Sequence, residues 1–214
     1  MNNGVKFDDK HSITDWDLLM VSKNIEEAEP RINTIEIEGR DGSIDLTEAL
    51  GAVKYNDRTL SFDFEIINPI DYWATRKSIS NYLNGRKAKI ILDQDPNYYY
   101  YGRCQVSDAE NEKNVGRFTI ECICEPYKMK ISETIVSDDV VAEDIITLSN
   151  EKKLVMPKIE TTGNIVFKFE DKQFSIAANE TFQSPDFILK EGNNQVEIIS
   201  GSGTLKFTYR EGSL

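Results

Sequence analysis

The chain is poor in the residues from which nucleophilic, redox or metal chemistry is usually built. Its 214 residues include one histidine, three cysteines and two tryptophans. A Ser-His-Asp triad or a Cys-His pair could form only around His11. That residue sits in Asp9-Lys10-His11-Ser12, a charged run that reads as a turn or polar surface. Cys104, Cys122 and Cys124 cannot all pair and follow no disulfide-framework spacing, so they read as buried thiols of a reducing compartment. Zinc prefers four nitrogen or sulfur ligands, and Cys122 and Cys124 could add only Cys104 and His11. No apolar run approaches the roughly 20 residues of a membrane helix. Lys6, Asp8, Asp9, Lys10, Asp15 and Asp17 leave no signal-peptide core, so no membrane insertion is expected. Basic residues are also scarce, 25 against 37 acidic, for a formal charge of −12. That sign argues against tight nucleic-acid binding through phosphate neutralisation.

The remaining short motifs carry no chemistry either. Asp93-Gln94-Asp95-Pro96 offers two carboxylates, but the Asn97-Tyr98-Tyr99-Tyr100 that follows lacks the further ligands, the glycine and the terminal glutamate of a calcium loop. Gly201-Ser202-Gly203 lacks the third glycine of a dinucleotide loop and the lysine of a phosphate loop, and reads as a turn. A carboxylate pair for glycoside hydrolysis cannot be picked from 37 acids by sequence. No catalytic, cofactor-binding or metal site is therefore assigned, and no cofactor is expected.

What the chain does have is alternation. A hydrophobic fraction of 39% with 10% aromatics is that of a globular protein, and the length suits two modest domains. Thr34-Ile35-Glu36-Ile37-Glu38 and Thr59 to Ile66 alternate apolar and polar residues, which predicts half-buried antiparallel strands burying Ile35 and Ile37, and Leu60, Phe62, Phe64 and Ile66. Between them, Arg40-Asp41-Gly42-Ser43 predicts a tight turn. One helix is expected from about Pro69 to Asn84. Asn68 would cap it and Gly85 would stop it, while Tyr72, Ile79, Tyr82 and Leu83 form its buried stripe and Arg76, Lys77 and Asn81 lie off it. Ala88 to Leu92, Tyr98 to Val106 and Arg117 to Cys124 continue the sheet.

A boundary is expected after Glu125-Pro126-Tyr127-Lys128, giving domains 1–130 and 131–214, with Ser132 to Asn150 acidic and less regular. Short strands follow from Pro157: Ile165 to Phe169, Phe174 to Ala177, Phe187 to Lys190, Gln195 to Ile199 and Thr204 to Arg210. The intervening turns are Glu170 to Gln173, Glu191 to Asn194 and Gly201 to Gly203. This spacing points to a second β-sandwich. Its aromatics, Phe167, Phe169, Phe174, Phe182, Phe187, Phe207 and Tyr209, are expected chiefly in the core, with room for an exposed one that could stack on a sugar ring. Tyr98-Tyr99-Tyr100-Tyr101 puts two tyrosines on each face of a strand. The pair left outside the core either decorates the surface or packs against a neighbouring subunit, which makes Tyr98, Tyr99, Tyr100 and Tyr101 the subunit-interface candidates.

Many weak motifs, taken in order, resemble the phage distal tail protein family of siphophages. They are Gly4, Phe7, Asp8, His11, Trp16 and Leu18; Gly39, Asp41, Gly42, Asp45 and Leu46; Tyr55 and Arg58; Asn84-Gly85-Arg86; Leu92 to Arg103; and Cys124 to Lys128. The ending, Gly192-Asn193-Asn194 through Tyr209-Arg210-Glu211-Gly212 to Leu214, is similar too. The resemblance implies a mainly β chain with a single helix in its N-terminal domain. That domain would be an antiparallel sandwich or split barrel forming a homohexameric ring, followed by a galectin-like β-sandwich projecting outwards. It further implies synthesis in the bacterial cytoplasm, a place at the virion tail tip or baseplate of a phage or prophage-derived particle, and a structural rather than enzymatic role. The implied partners are the tail tube protein, the tail-associated hub or lysin protein and receptor-binding proteins. Six copies would carry about −72, a field that lets DNA pass without sticking. The alternative is a carbohydrate-binding adhesion module that recognises the cell surface through exposed aromatics of the second sandwich. A cell-wall hydrolase ranks last.

Overall fold

The computed structural model of the chain describes residues 3–49, 51–66, 72–107, 111–112 and 115–214. The chain divides into two compact units, Met1–Lys128 and Met129–Leu214. The first contains β1 (Val5–Phe7), β2 (Lys10–His11), β3 (Leu18–Ile25), β4 (Thr34–Glu36), β5 (Ser43–Asp45), β6 (Arg58–Ile66), α1 (Tyr72–Leu83), β7 (Lys87–Leu92), β8 (Tyr98–Val106), β9 (Asn111–Glu112) and β10 (Val115–Cys124). An antiparallel sheet runs in the order β2-β1-β7-β8-β10-β6-β3. As the alternation requires, Leu60, Phe62, Phe64 and Ile66 are buried, and Phe118, Ile120 and Cys122 join them from β10, beside Ala88, Ile90 and Leu92 from β7. The Phe7 ring on β1 meets Phe62 on β6 edge-on at 5.9 Å, although three strands lie between those two in the sheet. The sheet must therefore curl to bring its inner faces together. Its edges, β2 and β3, do not pair with one another among the described residues, so the barrel is split.

Helix α1 lays Tyr72, Ile79 and Leu83 on this core, with Tyr82 half-buried beside them. It ends as the glycine signal requires: Gly85 takes φ +81° and its N–H reaches the carbonyl of Cys104 on β8 at 2.8 Å. The expected start at Asn68 and Pro69 lies outside the described residues.

The first departure from expectation is at β4 and β5. Among the described residues they pair only with each other, as a two-stranded ribbon, and Ile35 and Ile37 are exposed rather than buried. Alternation marks a strand but does not say whether another layer covers its apolar face. Nor is the turn tight: Glu36 pairs with Ser43, so residues 37–42 form a longer loop in which Gly42 takes φ +75°.

Strand β11 (Lys128–Lys130) spans the division. The second unit contains β12 (Thr134–Val140), β13 (Ile145–Asn150), β14 (Lys158–Thr161), β15 (Ile165–Phe169), β16 (Lys172–Ile176), β17 (Thr181–Phe182), β18 (Gly192–Gly201), β19 (Gly203–Tyr209) and β20 (Gly212–Ser213). Two antiparallel sheets, β12-β19-β14-β17 and β13-β18-β15-β16, bury their facing residues in one core. This is a β-sandwich. The stretch expected to be less regular supplies β12 and β13, whose inward Val140, Ile146 and Leu148 alternate with exposed neighbours. Phe187 to Lys190, expected as a strand, makes only a bridge between Val155 and Leu189. Phe187 instead plugs the core, 4.5 Å from Phe169 and 6.1 Å from Phe207 between ring centroids. Glu191 to Asn194, expected as a turn, already enters β18, because the buried Asn194 amide donates to the carbonyls of Leu148, Lys190 and Gly192.

Candidate assembly surface

His11 and the three cysteines are engaged structurally. His11 Nδ1 accepts from the backbone N–H of Ile13 at 3.2 Å, which leaves Nε2 as the N–H that donates to Asp93 at 3.0 Å. The other Asp93 oxygen accepts the Gly4 N–H. His11 and Asp93 thus tie the chain start to the β7–β8 turn. The three cysteines are free thiols inside the sheet. Cys104 and Cys122 lie directly opposite each other on β8 and β10, and the hydrogen bond between their sulfurs, with burial, pushes the Cys122 thiol well above its ordinary range. Burial pushes Cys124 up to about 12. Among the described residues there is no group of three or more His, Cys, Asp or Glu side chains arranged to hold a metal ion. No helix there is long and apolar enough to cross a membrane.

The tyrosine row is more telling. Tyr100 is buried, and the same strand phase turns Tyr98 inward, half-buried, with Lys128 Nζ 4.8 Å from its ring centroid. Tyr99 and Tyr101 face outward, yet each is half-covered by a lysine of the neighbouring strand: Lys89 stands 4.9 Å over Tyr99 and Lys87 5.7 Å over Tyr101. Lys87 is also directly opposite Arg103 across the β7–β8 ladder, a like-charge pair on an exposed face. Lys6 on β1 extends the same outer face. An acidic chain therefore carries a compact basic and aromatic face. Sequence reasoning found its tyrosines but not its cations, because the pairing that sets Lys87 beside Arg103 joins residues 16 apart.

The ribbon has the opposite character. Residues 26–48 carry eight carboxylates against Arg31 and Arg40. Ile32, Ile35 and Ile37 expose 67%, 51% and 47% of their surface, far more than core isoleucines such as Ile79 and Ile90. A lone two-stranded ribbon is marginal in water, and this one is held at its root. Asn56 and Arg31 donate backbone hydrogen bonds to Glu29 and Lys54. The buried Arg58 donates from Nε to the Glu26 carbonyl at 2.7 Å and from Nη1 to the Pro126 carbonyl at 3.2 Å, with its guanidinium 5.3 Å from the Tyr100 ring centroid. Tyr55 meets Tyr127 edge-on at 5.8 Å beside it.

Several motifs that looked weak separately along the chain are thus neighbours in space: Gly4 with His11 and Asp93, Tyr55 with Tyr127, Arg58 with Pro126, and Asp8 with Arg86 at 3.1 Å. Together they define a split β-barrel bearing a pinned ribbon, followed by a β-sandwich. The family model of the phage tail protein RIFT-related domain matches residues 12–124, more than half of the chain, and the chain belongs to that family of phage tail proteins. Among solved structures, it is similar to the SPP1 Dit protein, described as a paradigm of the hub adsorption apparatus in phages infecting Gram-positive bacteria. That match has 17% identity and a TM-score of 0.71, and it covers 100% of both chains. The two proteins share their fold from end to end, including the sandwich that the family model does not reach. A comparison with curated protein sequences yields no match.

Proposed function

We propose that this phage tail protein is a distal tail protein: a structural component that forms a ring at the tail tip, joining the tail tube to the tail-associated hub and receptor-binding proteins. The likeness to SPP1 Dit over the full length of both chains is the observation that carries the reading. In this reading residues 1–130 form the ring, as a homohexamer, and 131–214 form the galectin-like domain. The protein acts by assembly, at the virion tail, and turns over no substrate. The net charge of −12 per copy suits a ring through which DNA passes. The carbohydrate-binding alternative wants an exposed aromatic on the sandwich. The exposed aromatic among the described residues is Trp73, on α1, while Phe174 and Phe182 are half-buried in ring contact with each other.

Light scattering and negative-stain imaging of the purified chain test the proposal. The expected particle is an annulus of about 146 kDa, six times the 24.4 kDa chain. A strict monomer at every concentration would refute self-assembly as its mode of action.

A further inference from the structure

We infer that Cys104 and Cys122 form a modification site, a dithiol across the β8–β10 ladder that a hydroperoxide closes into a disulfide once the chain has left the reducing compartment in which it folds. The geometry stands independently of the ring reading above; only the setting, a particle released from the cell, rests on it. Cys104 lies directly opposite Cys122. Both backbone groups of Cys104 face away from β10: its N–H donates to the Arg86 carbonyl at 2.9 Å, and its carbonyl accepts the Gly85 N–H at 2.8 Å. In an antiparallel ladder this makes the two cysteines a non-hydrogen-bonded pair, whose Cα atoms lie about 4.5 Å apart with their side chains at closest approach. A disulfide spans Cα separations of about 4.4–6.8 Å. Both side chains are buried on the inner face, and their sulfurs are in hydrogen-bond contact at 2.7 Å. Cys124 is not a competing partner. It sits two residues from Cys122 on the same strand, a Cα separation of about 7 Å. The residue opposite it is Gly102, and its sulfur fills the space that a side chain there would need. Its thiol donates instead to the Cys122 carbonyl at 3.6 Å.

The chemistry takes two steps. One sulfur takes up an oxygen as the O–O bond of the hydroperoxide breaks, giving a sulfenic acid; with hydrogen peroxide the leaving oxygen departs as water. The second sulfur then displaces the new oxygen: the S–S bond forms, the S–O bond breaks, and the second thiol's proton leaves with the hydroxide as another water. Two thiols are oxidised to one disulfide, and one hydrogen peroxide is reduced to two waters. Burial slows the first step, because a covered, protonated thiol reacts only through local opening. The pair therefore stays reduced while the chain folds and closes on the longer timescale of a released particle.

The test uses the full chain, purified reduced and then held with a small excess of hydrogen peroxide, both in buffer and in urea at half the unfolding midpoint, where opening is frequent. Thiols are counted after complete unfolding, and the product is mapped by mass spectrometry. The reduced chain should give all three thiols and the oxidised chain only that of Cys124, with Cys104 and Cys122 recovered in crosslinked peptides. The crosslink should raise the urea midpoint of the first unit by roughly 1.5 M, read from the fluorescence of Trp16 and Trp73. Cys124→Ala should still lose both of its thiols on oxidation, whereas Cys122→Ala should form no intramolecular disulfide. All three thiols surviving in both conditions, separate sulfinic acids on Cys104 and Cys122, or a crosslink through Cys124 would each overturn the proposal. A midpoint that fails to rise on crosslinking would overturn it too, because the pair would then not be set for the bond. A chain that crosslinks as expected yet stays monomeric would overturn the ring reading alone.

Discussion

Arg58→Ala should release the root of the ribbon and destabilise the first unit by about 3–5 kcal/mol. The side chain is 2% exposed, and the carbonyls of Glu26 and Pro126 are its acceptors at 2.7 and 3.2 Å. A hydrogen bond from a charged donor contributes about 1.5–3 kcal/mol, and a desolvated cation–aromatic contact such as that with Tyr100 adds about 2. The ion pair with Glu27 contributes little, because that carboxylate is 91% exposed. These contributions do not add fully, and the expected total is a large part of the 5–15 kcal/mol typical of a domain. Both tryptophans, Trp16 and Trp73, lie in the first unit, so indole fluorescence follows its unfolding selectively. With a urea slope of about 2 kcal/mol per molar, the midpoint should fall by roughly 2 M. Hydrogen exchange should locate the damage. The amides of Glu26, Arg31 and Asn56, which donate to Thr59, Lys54 and Glu29, should lose protection before those of β6. Arg58→Lys, which keeps the charge without the fork, should recover only part of the loss. A midpoint within about 0.5 M of native, with those three amides still protected, would refute the role of Arg58 as the pin.

Three further outcomes are expected. Cys104, Cys122 and Cys124 should resist a thiol reagent at pH 8 in the native chain and all react once it is unfolded, because all three are buried and the Cys122 and Cys124 thiols are pushed well above the assay pH. Phe187→Ala should cost the sandwich about 3–5 kcal/mol in urea unfolding, since its ring packs on Phe167, Phe169, Phe174 and Phe207. Acid should weaken the second unit through Glu211. Burial pushes this carboxyl up, but the Lys130 ammonium at 2.8 Å and the Thr134 hydroxyl outweigh burial and hold it below its ordinary 4.5. The stabilisation is therefore complete above that value and lost as pH falls through the lowered one, so Glu211→Gln should flatten the acid limb of a stability-against-pH curve.

The elements that were legible in the sequence are those whose signal is local. Strand β6 announces itself through Leu60, Phe62, Phe64 and Ile66, and the end of α1 through Gly85, because side-chain phase and backbone sterics depend on neighbours in the chain. The aromatics of the second unit were also readable as core. Phe187 was misplaced on a strand because an isolated aromatic looks the same whether it lines a sheet or caps the space between two. Asn194 was misread as a turn residue because its amide, which ordinarily marks a turn, here bonds the carbonyls that lead the chain into β18.

The tyrosine face and the ribbon were half legible for a related reason. Four consecutive tyrosines show that one pair must face away from the core, whatever the fold. That the outward pair lies under Lys87 and Lys89 depends on the register of β7 against β8, and that Ile35 and Ile37 stay uncovered depends on no third strand joining β4 and β5 among the described residues. Neither fact has a local signature. The exposed isoleucines depart from the rule that alternating apolar residues go inside, as Leu19, Ile123 and Ile145 do elsewhere in the chain. Alternation looks the same in the sequence whether or not a further layer covers the apolar side chains; the fold separates the two cases by leaving the ribbon bare.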